Sequence, residues 1–496
     1  MERSSGILMP VSSLPSPYGI GTFGKAAYDF VDFLEKAGQR WWQILPVGPT
    51  TLGDSPYMSP SAYAGNPFYI DLDQLVEEGL LKQEEIDACS WGKDPSKVDY
   101  ECLTAQRLPL LKKAEERGAD RDREAVESFA AENADWLPDY TLFMALKDYF
   151  EGKDWMDWPD EAIRMHRPDA VAAYREKLAE PVQFYTYLQF LFFTQWKKLR
   201  AYAKEKGIGI IGDMPIYVAM DSADVWASPE YFLLDEKNVP VKVAGVPPDY
   251  FSEDGQLWGN PLYNYPRMKQ DGYGWWIRRI GGAEKLYDVL RIDHFRGLES
   301  FWAVPYGEKT AKNGSWIKGP GMDLMGMLKN WFSGMQFIAE DLGASSPEVL
   351  QFLEDTGFPG MRVLEFAFNA EEESSYLPHA HVRNCVCYIG THDNDTIMGW
   401  KEHAPAGDIA KAIEYLGLSD HEGFAWGFIR GGMSSVADLF VAQMQDYLEL
   451  GSEARMNTPG EIHGNWQWRM LPNQNTPGLA KRIAAVTKLY GRSRHD

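Results

Sequence analysis

The nine residues Val289-Leu290-Arg291-Ile292-Asp293-His294-Phe295-Arg296-Gly297 decide how the chain is read. A short apolar run delivers a carboxylate to its end, with an arginine on either side and a histidine next to it. Such a run reads as a β-strand that presents Asp293 at its C-terminal tip, where a (β/α)₈ barrel carries its chemistry. Alone, an Asp after an apolar strand is more often a turn residue or a helix cap. The reading depends on whether other strands bring compatible groups to the same rim.

Working outward, strand-like runs fall at 5–11, 40–47, 208–212, 289–293, 337–339, 361–368, 386–390 and 438–442, with helical patterns between them. Residues 25–38, for example, put Ala27, Phe30, Val31, Phe33 and Leu34 on one helix face. Eight strands alternating with helices, and none left over, predict one α/β chain: a TIM barrel spanning residues 1–496. The alternation is broken twice. Residues 48–181 read as a mainly helical insertion after strand two, and residues 216–286 as a second insertion after strand three. Trp155 and Trp158 in the first insertion read as packing residues.

Composition narrows the function classes. The formal net charge of −23 argues against nucleic acid, which requires clustered Lys and Arg. No charged n-region precedes a long apolar stretch at the start, and the most apolar run, 187–193, is far too short to span a bilayer. A cytoplasmic protein without membrane partners is expected. Cys89, Cys102, Cys385 and Cys387 are too few for a disulfide framework in 496 residues and read as free thiols.

Four of the eight strands, the third, fourth, fifth and seventh, end in Asp213, Arg291-x-Asp293, Glu340-Asp341 and His392-Asp393. In a closed parallel barrel these tips face one cavity, and converging carboxylates repel unless a metal, a substrate or a shared proton intervenes. A divalent-metal site and a glycosyl-transfer site both use such a rim. Arg291 favours the second, because a permanent cation beside Asp293 keeps it ionised and is out of place against a metal ligand.

The chain resembles the 4-α-glucanotransferases called amylomaltases or disproportionating enzymes, glycoside hydrolase family 77 of the α-amylase clan. The motifs that carry the resemblance run almost end to end: SSGILMPVSSLPSPYGIG (4–21), LGDSPYMSPSAYAGNP (52–67), GDMPIYV (212–218), PPDYFSEDGQLWGNP (247–261), RIDHFRG (291–297), IAEDLG (338–343), GTHDNDT (390–396) and MNTPGEIHGNWQWR (456–469). The resemblance implies catalysis by Asp293 as nucleophile, Glu340 as general acid and base, and Asp393 as the third carboxylate. It implies that His392 bonds a donor hydroxyl, that Arg291 orients the nucleophile and that Asp213 supports the donor site. It further implies an acceptor-side aromatic at Tyr57 and an active-site cover built from Asp249, Tyr250, Phe251, Gln256, Trp258 and Asn260. The partners implied are α-1,4-glucans such as maltooligosaccharides and starch or glycogen fragments, and glucose, with no cofactor and no metal. Asp341 and Asp395 are expected in turn or supporting roles, and Arg296 in an ion pair. The rival readings are a hydrolase of the same clan, a non-catalytic glucan-binding barrel and a metal-dependent barrel enzyme.

Overall fold

The computed structural model describes residues 2–248, 252–343 and 346–493. All eight expected barrel strands form: β1 (Ser4–Leu8), β2 (Trp41–Gln43), β3 (Gly209–Pro215), β6 (Val289–Asp293), β9 (Gln336–Ala339), β10 (Gly360–Val363), β11 (Cys385–Tyr388) and β12 (Leu439–Gln443). They pair in parallel in the order β10-β11-β12-β1-β2-β3-β6-β9. The remaining gap is bridged by the Ala339 N–H, which donates to the Pro359 carbonyl at 3.0 Å. Asp341 reinforces that seam by accepting from the Met361 N–H at 2.6 Å. Gly360 is required there, since a Cβ would sit 2.6 Å from an Asp341 carboxylate oxygen. Every residue of β1, β11 and β12 is buried, as expected of parallel strands covered on both faces. The core is continuous from these strands into the surrounding helices.

Between β2 and β3 the chain forms helices at Leu72–Glu77, Gln83–Asp87, Tyr100–Gly118, Arg123–Glu132 and Leu137–Tyr149, then the long helix Ala179–Glu205. Trp155 and Trp158 in this region are fully buried. The expectation of no further strands fails. Four more, β4 (Lys242–Val246), β5 (Gln256–Pro261), β7 (Ser300–Pro305) and β8 (Ser315–Lys318), make an antiparallel sheet in the order β5-β4-β7-β8. It draws on both excursions, the one after β3 and the one after β6, so the rim beside Asp293 carries a small sheet of its own. These strands are short, and β4 and β5 are interrupted by Gly or Pro, which hides them from a search for buried runs.

Candidate active site

The site grows from the register of β3, β6 and β9. Asp213 lies opposite Arg291 in the β3–β6 ladder, and Asp293 opposite Pro215 at the strand end. Arg291 therefore reaches both acids. Its Nη1 lies 2.7 and 2.8 Å from the two Asp213 oxygens and 3.0 Å from Asp293 Oδ1. Arg291 and Asp213 are sealed from solvent, while the Asp293 side chain keeps 28% of its surface exposed. A sealed, paired cation holds its proton strongly, and the guanidinium is raised well above its ordinary range, the two aspartates outweighing burial. Asp293 itself is raised to about 6: burial is the larger effect, and Arg291 offsets only part of it.

Glu340 sits on the neighbouring tip, its N–H donating to the Ile292 carbonyl at 3.1 Å. The chain turns sharply after Asp293 with His294 in the left-handed region, at φ 51° and ψ 46°. That turn aims the His294 N–H at Glu340 Oε2, 2.8 Å away, and the Leu342 N–H meets Oε1 at 2.7 Å. Burial first and the Asp293 charge second raise Glu340 to about 7, above Asp293. The His294 ring is lowered to about 3 by burial and by Arg296, so it is neutral at pH 7.

The third acid, Asp393, follows β11 and is more open than Asp293, 41% against 28% exposed at the side chain. His392 beside it is buried, with Nε2 3.4 Å from Asp393 Oδ2 and 2.8 Å from the Tyr57 hydroxyl. Tyr57 stacks on the His392 ring at 5.2 Å and 17° and donates to Asp213 Oδ2 at 3.0 Å. A carboxylate only accepts, so the single Tyr57 proton goes to Asp213 and His392 must donate from Nε2. The resemblance implies an acceptor-side aromatic at Tyr57. Its loop folds back over β3 and places the ring with Asp213 and His392, the residues that the resemblance puts on the donor side.

Of the expected cover residues, Asp249, Tyr250 and Phe251 lie outside the described residues. Trp258 reaches the rim, its ring edge-on to His294 at 4.7 Å and its Nε1 donating to Gln256 Oε1 at 3.1 Å. Asn260 does not reach it: the residue is 7% exposed and its amide nitrogen donates to the Val218 carbonyl at 2.9 Å. Its amide nitrogen packs against the loop after β3. Asp341 and Asp395 are engaged with protein groups, Asp395 Oδ2 accepting from the Ser452 hydroxyl at 2.6 Å. Arg296 lies over the Trp316 ring, 4.3 Å from its centroid, rather than marking its place by an ion pair alone. Sequence reasoning missed Asn457, whose amide nitrogen donates to Asp393 Oδ1 at 2.6 Å. The signal was available only as part of the 456–469 motif.

Among the described residues no cluster of His, Cys, Asp and Glu is arranged to hold a metal ion, and no helix is long and apolar enough to cross a membrane. Carboxyl groups so placed on neighbouring barrel tips, one ion-paired and one held high, define an enzyme acting on glycosidic bonds. The family model described as 4-alpha-glucanotransferase matches residues 9–474, and the chain belongs to that family, glycoside hydrolase family 77. A 4-alpha-glucanotransferase of Clostridium butyricum is 48% identical over 486 residues, 98% of this chain and all of the relative. The solved amylomaltase of Streptococcus agalactiae, in complex with acarbose, superposes with a TM-score of 0.97 at 42% identity, covering 99% of this chain and 100% of its own. The amylomaltase of Corynebacterium glutamicum, 21% identical, shares the fold with a TM-score of 0.79 over 98% of this chain and 75% of its own.

Proposed function

We propose that the enzyme moves α-1,4-glucan segments from a donor maltodextrin to the 4-hydroxyl of a glucan or glucose acceptor, with retention of configuration, through a covalent glucosyl-enzyme. One observation carries the reading: adjacent tips hold two carboxyls in different hands, Asp293 on a buried guanidinium and Glu340 on two backbone N–H groups. At pH 7 Asp293 at about 6 is mostly ionised, while Glu340 at about 7 keeps much of its proton. One group is thereby an anion ready to attack and the other an acid ready to donate.

In the first step an Asp293 oxygen bonds to the donor anomeric carbon as the bond to the glycosidic oxygen breaks. The Glu340 proton passes to that oxygen, and the shortened glucan departs. In the second step the acceptor 4-hydroxyl gives its proton to Glu340 and bonds to the anomeric carbon, and Asp293 leaves as a carboxylate. Two inversions give net retention, which needs the two carboxyls about 5–5.5 Å apart. Neighbouring strands about 4.8 Å apart suit that spacing. Asp393, Asp213, His392 and Tyr57 form the donor side, where Asp393 steadies the ring as positive charge develops. Gln256 and Trp258 face the acceptor side, and the cover segment 249–251 keeps water from the intermediate. Insertion 216–286 carries the cover segment, and the enzyme works in the cytoplasm on maltooligosaccharides and starch or glycogen fragments.

The test is incubation with maltotriose, following chain lengths and total reducing ends together. A ladder of longer maltodextrins plus glucose, at constant reducing ends, is expected. Rising reducing ends without a ladder would replace transfer by hydrolysis.

A further inference from the structure

Each of the three rim acids has a distinct holder. Asp293 has Arg291 and Glu340 has two backbone N–H groups. Asp393 lies beyond the end of β11, outside the ladder, and its side chain is too exposed for packing to fix it. What reaches it comes from 64 residues further along the chain.

We infer that Asn457 is a positioning residue that sets the direction of the Asp393 carboxylate during glucosyl transfer. The inference rests on the proposed role of Asp393. The Asn457 N–H donates to the His392 carbonyl at 3.1 Å, which fixes the base of its side chain, and its Nδ2 then donates to Asp393 Oδ1 at 2.6 Å. Arg455 locks both partners from behind: Nη2 donates to the Asp393 carbonyl at 2.7 Å and Nε to the Asn457 carbonyl at 2.8 Å. The Trp466 N–H donates to the Met456 carbonyl at 2.7 Å, and the same residue's ring packs against both His392 and Tyr57. The tail is thus tied to the strand tip at the backbone, leaving the Asn457 amide with one evident task. With Oδ1 occupied, Oδ2 is the oxygen left to face His392 Nε2 and the sugar. An amide suits this place, because it donates without adding charge. A lysine would compete with the developing cation, and an acid would repel Asp393.

The charged and titratable groups around Asp393 are His392, Arg455, Asp293 and Tyr57. Asn457→Asp keeps the shape and replaces the donor by an acceptor. In maltotriose disproportionation it is expected to lower kcat by roughly 10- to 100-fold at neutral pH, with KM changed far less. The loss should narrow as the pH is lowered from neutral, since a proton shared between two adjacent carboxyls restores a hydrogen bond. Asn457→Ala should lower kcat without that recovery, and it supplies the reading if the Asp variant does not fold. Parent-like kcat in the folded variants overturns the inference. So does an equal, pH-independent loss in both that follows a lowered melting temperature, since that is the mark of a structural brace only. Asp393→Asn separates the two levels. If it retains transfer, the proposed role of Asp393 fails; if it is inactive while Asn457→Asp is parent-like, only the role of Asn457 fails.

Discussion

Two groups of acids lie near the C-terminal ends of the barrel strands, and they are handled in opposite ways. At the rim, Asp213 and Asp293 share the buried Arg291. Around β10 to β12, Glu365, Asp395 and Asp446 come together without a Lys or Arg ion pair among the described residues, although Arg455 acts on Glu365 from nearby and His403 Nδ1 lies 3.7 Å from Asp395 Oδ2. There the fully buried Asp446 accepts the Ile397 N–H at 2.8 Å through Oδ1, while its Oδ2 and Glu365 Oε1 have no partner among the described residues. Burial raises Asp446 to about 7 and Glu365 well above its ordinary range. Beside its cation Asp293 is raised only to about 6, whereas Asp446 and Glu365 are pushed further towards the protonated form. Burial pushes a carboxyl towards its protonated form, and a cation in the right register offsets part of that push.

The comparison breaks most visibly at Asp293. Asp293→Asn is expected to lower transfer by at least about 10⁴-fold, with the melting temperature nearly unchanged. Normal activity would remove the nucleophile from the mechanism. Arg291→Met leaves Asp213 and Asp293 without their cation, and is expected to cost about 3–5 kcal/mol in urea unfolding together with activity. A milder test is the pH dependence of kcat/KM. It should rise as Asp293 ionises near about 6 and fall as Glu340 loses its proton near about 7, with a maximum between them. A plateau well above pH 8 would contradict that order of acidities.

The smallest effect is expected in the second group. Asp446 has a raised folded-state pKa, so its contribution to stability is retained below about 4 and lost as pH climbs towards about 7. Asp446→Asn removes that loss. Its stability relative to the parent should improve from pH 4 to pH 8, on the order of 1–3 kcal/mol, with transfer activity close to the parent's. A relative stability that falls with pH would show that Asp446 is charged and paired after all.

The barrel was legible in the chain because parallel strands buried on both faces leave short unbroken apolar runs. Their ends were less so: the run at 361–368 becomes β10 and then a tight turn at Leu364–Phe366. The strands SFWAVP and SWIK escaped because their wet faces and flanking glycines resemble loop. The acids at strand tips could be found by position alone. Their holders could not. Arg291 announces itself two residues before Asp293, but the Tyr57 contact with His392 and the Asn457 contact with Asp393 join loops 335 and 64 residues apart, and no local pattern encodes them. The orphaned oxygens of Asp446 and Glu365 are likewise a property of packing, not of spacing.

The ladder between β1 and β12, with Ser4 opposite Leu439, has a consequence for synthesis. The barrel's first strand has only β2 for company on one side until its last strand leaves the ribosome. At about 5–20 residues per second that wait is on the order of 20–90 s. Throughout it, the β1 edge offers unpaired backbone groups to any neighbouring chain. A nascent-chain chaperone that shields the first fifty residues would therefore act on the step this topology leaves open longest.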